Sequence, residues 1–302
     1  MTEPIRVGTR RSLLALTQTE SVLVALRRRH PRRRFEAVPI VTSGDRDRNP
    51  GSLPDFTDAI DRALRAGTID LAVHSAKDLP ARLPPEFCMV ACPPRADPRD
   101  GLVVAPGVDG RRLPQGARIG SSSVRRRAQL LRWRPDLRIV EIRGNVDTRI
   151  ARVRRGEFDA AILAVAGIAR LGRHAEIARV LPRIAFLPAP AQGALAVVAR
   201  ADDPARSAIL ASADHRPTHL AVVAEQAFAA ALGGDCRIPL GALATLSGAR
   251  LSLTGEIVSP DGRRTLRARL GGSAVSAQRI GTELGERLLA RGARELGAPG
   301  PA

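Results

Sequence analysis

The chain has 302 residues, 44% of them hydrophobic, enough for about two or three globular domains with ample core. Its net charge of +18 suits a nucleic-acid binder, yet 2% aromatics, with no tyrosine and one tryptophan (Trp133), leave little for base stacking. No apolar run approaches the ~20 residues of a membrane span, "MTEPIRVGTRRS" is not a signal peptide, and three dispersed cysteines make no disulfide framework, so a soluble cytoplasmic protein is expected.

From the N-terminus, "IRVGT" reads as a strand, "RRS" as a polar turn and "LLALTQTESVLVALRRR" as a helix capped by Ser12. "RIGSSSVRRRAQLLRWR", from Arg118, repeats that plan. A sharper echo joins "RAGTIDLAV" (65–73) to "RRGEFDAAI" (154–162): in both, a basic helix ends at a glycine, Gly67 or Gly156, and a buried strand begins. The chain thus holds two similar α/β units in tandem, with mainly parallel strands, ligand sites at the carboxyl ends of those strands and a cleft between the units. "CPPRADPRDG" (92–101) links the units and "LPAPAQGALAVVAR" (187–200) returns as a strand. After about residue 214 comes a smaller α+β region. "LAVVAEQAFAAAL" is helical, "GGDCRIPLG" turns into a strand, a hairpin surrounds "SPDG", and an amphipathic helix closes the chain.

Three constellations bear chemistry. Arginines and hydroxyls cluster at both equivalent helix starts: Arg10, Arg11 and Ser12, then Ser121, Ser122, Ser123, Arg125 and Arg126. Arginine there opposes the helix dipole, which is reasonable if an anion sits nearby. Arg143, Arg149 and Arg170 add to the same edge, and either a polycarboxylate or a phosphate fits. Second, "DLAVHSAKDLP" places His74, Lys77 and Asp78 just past a buried strand, and Lys77 is the one lysine among 48 Lys+Arg positions. Asp78 is either a turn carboxylate or a general acid/base, and His74 either a packed strand-end residue or a participant. Third, Cys236 in "GGDCRIPLG" is either an inert thiol or a nucleophile and attachment point, while Cys88 and Cys92 read as core. No zinc spacing, Walker motif or dinucleotide fingerprint occurs.

Nine collinear stretches together resemble the porphobilinogen deaminase (hydroxymethylbilane synthase) family. They are "RVGTRRSLLALTQ", "VTSGD", "DLAVHSAKDLP", "DPRDGLV", "IGSSSVRRRAQL", "RGNVDTR", "FDAAILAVAGIARLG", "LPAPAQGALAV" and "GGDCRIPLG". The resemblance implies two similar periplasmic-binding-protein-like α/β domains with a central cleft plus a smaller C-terminal α+β domain. The expected bounds are 1–95 with a return segment at 190–213, then 96–189, then 214–302. It implies a monomeric, cytoplasmic transferase of porphyrin biosynthesis that condenses four porphobilinogens, with loss of ammonia, into a linear tetrapyrrole. Porphobilinogen is the small-molecule partner, with neither nucleic acid nor membrane. The chain grows on a dipyrromethane cofactor tethered by a thioether, here to Cys236. Carried over residue by residue, Asp78 is the catalytic group that assists ammonia departure and stabilises the azafulvenium cation. Lys77, Ser122, Ser123, Arg125, Arg126, Arg143 and Gly167 fall at cofactor-binding positions; Arg10, Ser12, Arg149, Arg170 and Gln192 fall at substrate-binding ones.

The chain departs from the family in the lid region and at one strand position. After "VTSGD" the family carries a Gly/Lys-rich lid and a Lys-Glu pair, where this chain has the shorter "RDRNPGSLPDFTDAIDRAL". Asp58 and Ala59 replace Lys-Glu, Phe56 is kept, Arg46 and Arg48 are the cations available there, and Val198 stands where Glu is frequent. A second reading follows: a divergent paralogue making a shorter oligopyrrole or using another aminomethylpyrrole. A third is a non-catalytic binder of small anions, against which Asp78 and Cys236 speak. A nucleic-acid role from bulk charge ranks below these.

Overall fold

The computed structural model describes residues 3–43, 57–234, 238–298 and 300, with the backbone alone at 204–207. The expected lid positions Arg46, Arg48 and Phe56 and the expected attachment residue Cys236 lie outside the described residues. Two compact units emerge: Met1–Arg95 with Ala194–His219, and Ala96–Gly193 with Leu220–Ala302.

In chain order the elements begin with β1 (Ile5–Arg10), α1 (Leu13–Arg29), β2 (Phe35–Ile40), α2 (Asp58–Arg65), β3 (Leu71–Ser75) and β4 (Phe87–Ala91). There follow β5 (Asp100–Val104), β6 (Arg118–Gly120), α3 (Val124–Trp133), β7 (Arg138–Val140), α4 (Val146–Arg154), β8 (Ala160–Ala164), α5 (Val165–Arg170) and β9 (Arg179–Val180). The chain then forms β10 (Leu195–Arg200), α6 (Pro204–Ala211), α7 (Arg216–Ala231), β11 (Leu240–Ser247), β12 (Arg250–Val258), β13 (Thr265–Ser273) and α8 (Ala277–Ala290).

The first sheet has the order β2-β1-β3-β10-β4 and the second β7-β6-β8-β5-β9, the same arrangement position by position. Parallel pairing holds in β2-β1-β3 and in β7-β6-β8. The fourth strand of each sheet, β10 or β5, runs antiparallel to both neighbours. Neither arrives through a helical crossover from the strand beside it, so the connection does not impose a parallel direction. β10 is buried along nearly all its length, and Val198 is 1% exposed in register with Ala72 of β3 and Met89 of β4. A glutamate at that point would need a partner in the core.

The sequence echo has a physical basis. Gly67 and Gly156 both sit at positive φ, 67° and 75°, just past α2 and α4. Thr68 N–H bonds Ala63 O at 3.0 Å and Glu157 N–H bonds Arg152 O at 3.2 Å, closing each helix with the same C-terminal motif. The shared aspartate then locks the next strand. Asp70 accepts the Arg6 N–H at 2.7 Å, and Asp159 accepts the Arg118 N–H at 2.6 Å. On α1, Val22, Leu23 and Leu26 recur on one face and pack on β1, β3 and β10. Each such burial contributes about 1.5–3 kcal/mol.

In the smaller C-terminal α+β part, β11-β12-β13 form an antiparallel sheet covered by helices. Of the two cysteines read as core, Cys92 is buried, its thiol pKa pushed up to about 12 by burial and by Asp214, while Cys88 on β4 is only half-buried. α7 and α8 pack at glycines, where a methyl on Gly281 would overlap the Ala224 carbonyl oxygen and one on Gly285 would lie 2.5 Å from Ala231 Cβ. Gly281→Ala should therefore cost about 1–3 kcal/mol by forcing the helices apart. Urea unfolding measures this, and an unchanged midpoint contradicts the close-approach account.

Candidate functional site

In the first unit, β1 and β3 are parallel neighbours, so their carboxyl ends share one edge of the sheet. Arg10 ends β1, half-buried. Ser12 caps α1 as expected, its Oγ accepting the Ala15 N–H at 3.3 Å. Beyond β3 the chain makes one 3-10 turn, Ala76–Asp78, with Lys77 half-buried and Asp78 exposed. Two anchors fix that turn: Ala76 N–H donates to Ala194 O at 3.0 Å, and Ser75 exchanges hydrogen bonds with Gln18 of α1. The sheet edge thus gathers Arg10, Ser12, Lys77 and Asp78.

His74 lies beneath this edge, 6% exposed, and its Nε2 has no hydrogen-bond partner among the described residues. Burial first, and then the Arg10 cation, pull its pKa down to about 4. His74 is therefore neutral at pH 7. As pH falls from about 6.5 toward 4, the unfolded chain binds the proton and the fold does not, which destabilises the fold.

The second unit repeats the edge with more cations. Three parallel strands, β7, β6 and β8, end there and run into 141–145, Ser121–Ser123 and α5 respectively. Ser121 is buried and accepts the Ser123 N–H at 3.2 Å; Ser122 donates to Ile142 O at 2.5 Å; Ser123 caps α3 by accepting the Arg126 N–H at 3.4 Å. Arg143 pairs with Glu141 at 2.6 Å and Arg149 donates to Gly144 O at 2.8 Å, so both are held locally, in the segment that leads into α4. Gly167 is buried in α5.

Arg125, Arg126 and Gln192 converge on one residue, Asp100 at the start of β5. Asp100 is 0% exposed and the two arginines are 4% and 6% exposed. Arg125 donates to Asp100 Oδ2 at 2.7 Å, Arg126 to Oδ1 at 2.7 and 3.0 Å, and Gln192 Nε2 to Oδ1 at 2.9 Å. Burial opposes ionisation of Asp100, but Arg125, Arg126 and Gln192 outweigh it and hold the carboxyl well below the usual range. The network continues outward. Arg125 also bonds Gln129 Oε1 at 3.2 Å, and Gln129 Nε2 reaches Glu256 of β12 at 3.0 Å, where Arg132 joins at 2.9 Å.

Two features of this unit suit a polycarboxylate. Two guanidiniums face the single carboxylate of Asp100, and Arg125 Nε is buried with no partner among the described residues. Arg170 donates to the Gly193 carbonyl at 2.8 Å, and burial pulls its pKa down to about 10. A desolvated cation beside a carbonyl gains from an anion. The residues present therefore fit a dipyrromethane with its acetate and propionate groups. Asp100, Gln129 and Glu256 are absent from the sequence-derived set; the one available signal for Asp100 is a carboxylate opening the apolar run "DGLVVA".

Comparison with known proteins adds identity to geometry. Residues 5–208 match the family model described as porphobilinogen deaminase, dipyromethane cofactor binding domain, and 219–290 match porphobilinogen deaminase, C-terminal domain. The porphobilinogen deaminase of Roseiflexus sp. (strain RS-1) is 46% identical over 301 residues, 98% of this chain and 99% of that protein. That of Brevibacillus brevis is 44% identical over 297 residues, 96% of each. Among solved structures, the periplasmic aliphatic sulphonate binding protein of Escherichia coli is similar at 17% identity and TM-score 0.40, over 76% of this chain and 70% of that one.

Asp100→Asn tests the buried pair. A carboxyl held low contributes stability that is whole above its unfolded value of about 4 and is lost as pH falls through its folded value. At pH 7 the variant should be about 3–5 kcal/mol less stable, because two buried cations lose their counter-ion. In urea titrations the gap to wild type should narrow below pH 4; a gap that is absent at pH 7, or that ignores pH, contradicts the pairing.

Proposed function

The chain belongs to the porphobilinogen deaminase family, and from that premise we propose how its residues carry out the condensation of porphobilinogen into hydroxymethylbilane. The enzyme is a transferase of tetrapyrrole biosynthesis. The observation that supports the residue assignment is the gathering of buried cations at one carboxyl edge: Arg125 and Arg126 on Asp100, and desolvated Arg170 on the Gly193 carbonyl.

Dipyrromethane, when bound through a thioether to Cys236, supplies the pyrrole carbon on which the product is extended. Ser122, Ser123, Arg125, Arg126, Arg143 and Gly167 hold its carboxylates and rings, with Lys77 as a compact ammonium beside them. Guanidinium forks match carboxylates in pairs, while the three rotatable donors of Lys77 suit a site where a planar group does not fit. Arg10, Ser12, Arg149, Arg170 and Gln192 take the acetate and propionate of incoming porphobilinogen.

Asp78 carries the chemistry. It sits at a strand's carboxyl end on a turn fixed by Ala194 and by the Gln18–Ser75 pair. As ammonia leaves the aminomethyl group, positive charge develops on the pyrrole methylene. A carboxylate held there stabilises that charge more than the ground state, which lowers the barrier. After the carbon–carbon bond forms, the same carboxylate accepts the proton lost from the attacked ring carbon.

We divide the chain into three domains, 1–95 with the return segment 190–213, 96–189, and 214–302. We place the enzyme in the cytoplasm as a monomer whose partner is its small-molecule substrate. Dispersed cysteines and scarce aromatics support that setting.

Asp78→Asn is the direct test. Turnover of porphobilinogen should fall about 10²–10³-fold while the melting temperature stays at the wild-type value. Near-normal turnover contradicts the assignment.

A further inference from the structure

Ala191 is the one non-glycine residue with positive φ, 59°, among the described residues. A Cβ disfavours that conformation, so it persists only where its surroundings enforce it. The enforcing group is Glu225 of α7, 0% exposed. Its Oε2 accepts the Ala191 N–H at 2.6 Å and its Oε1 accepts the Ala244 N–H of β11 at 2.7 Å. One carboxylate thus holds two backbone amides, a task that needs both oxygens as acceptors.

The next residue is Gln192. Its N–H closes the turn on Ala189 O at 3.0 Å, and its side chain bonds Pro98 O at 2.7 Å, Asp100 at 2.9 Å and Arg126 at 3.3 Å. On the far side Gly193 is left-handed at φ 87°, where a Cβ would lie 2.6 Å from Ala96 O. Its carbonyl accepts Arg170 at 2.8 Å. The turn is therefore fixed behind Gln192 by Glu225 and ahead of it by Gly193 and Arg170.

We propose that Glu225 is a positioning residue: by clamping the left-handed Ala191 turn it sets Gln192 onto the Asp100–Arg126 pair and ties that pair to the β11 strand of the C-terminal part. This rests on the reading of Gln192 as a substrate-binding residue. Glutamine at 225 keeps one acceptor and loses the other, freeing one amide. Glycine at 191 adopts positive φ without a clamp.

The test compares the full-length wild type, Glu225→Gln, and Glu225→Gln combined with Ala191→Gly. Glu225→Gln should speed amide hydrogen exchange at Ala191 and raise KM for porphobilinogen about tenfold, the size of one buried hydrogen bond lost, with kcat changed far less. Adding Ala191→Gly should bring KM back to within about twofold of wild type, because the turn no longer needs enforcement. A merely structural glutamate would not be rescued by a glycine 34 residues away in the chain. Wild-type KM and exchange in Glu225→Gln, or a raised KM that glycine does not restore, overturns the proposal. If Glu225→Gln fails to fold, Glu225→Asp, too short to span both amides, is read by the same criteria. If wild type itself leaves porphobilinogen unconsumed, the functional reading fails instead. Exchange then decides alone, and an Ala191 amide still protected in Glu225→Gln overturns the clamp.

Discussion

The salt bridge that the second unit depends on is Asp100 with Arg125 and Arg126. Two adjacent arginines at the start of α3 repel each other and oppose the helix dipole. Burying them without an anion would be prohibitive. Asp100 enters from β5, the antiparallel strand, and neutralises one of the two charges. The same carboxylate orders Gln192, and Arg125 passes the network through Gln129 to Glu256 on β12. One buried anion thereby fixes the helix start, the return segment and the C-terminal sheet within one unit.

Both sheets reuse a single local device. A helix closes at a left-handed glycine, a buried strand follows, and an aspartate at its start grips the backbone of the neighbouring strand. The device delivers parallel strands whose carboxyl ends lie on one edge, where side chains act on a ligand without disturbing the core. In the first unit that edge carries Asp78; in the second it carries a denser set of cations. The two equivalent edges thus differ in kind: an exposed carboxylate beside a half-buried lysine on one, buried arginines around Asp100 on the other.

Much of this is legible in the sequence. The two R-x-G-x-[IF]-D stretches announce the duplicated units because glycine and aspartate there perform tasks few other residues can. Ser12 reads as a cap and acts as one, and Ser123 caps the equivalent helix of the second unit. Asp100, Glu225 and Glu256 escape a local reading because their partners lie far along the chain: Asp100 meets Arg125 25 residues away, Glu225 meets Ala191 34 away, and Glu256 meets Gln129 127 away. The antiparallel direction of β5 and β10 escapes for the same reason, since nothing in an apolar run records which way its neighbour points. Asp78 and Cys236 draw their roles from family resemblance, because an exposed turn carboxylate and a lone thiol carry no local signature of catalysis or attachment.

The central proposal is that the cationic edge of the second unit holds a polycarboxylate chain anchored to the protein itself. Intact-protein mass spectrometry of the purified full-length chain, before and after porphobilinogen, tests this most directly. The account predicts a chain already heavier by two pyrrole units, located on the Cys236 peptide, and further steps of one pyrrole unit on adding substrate. A chain that is unmodified and stays unmodified with porphobilinogen, or that carries the pyrroles on another residue, would contradict it.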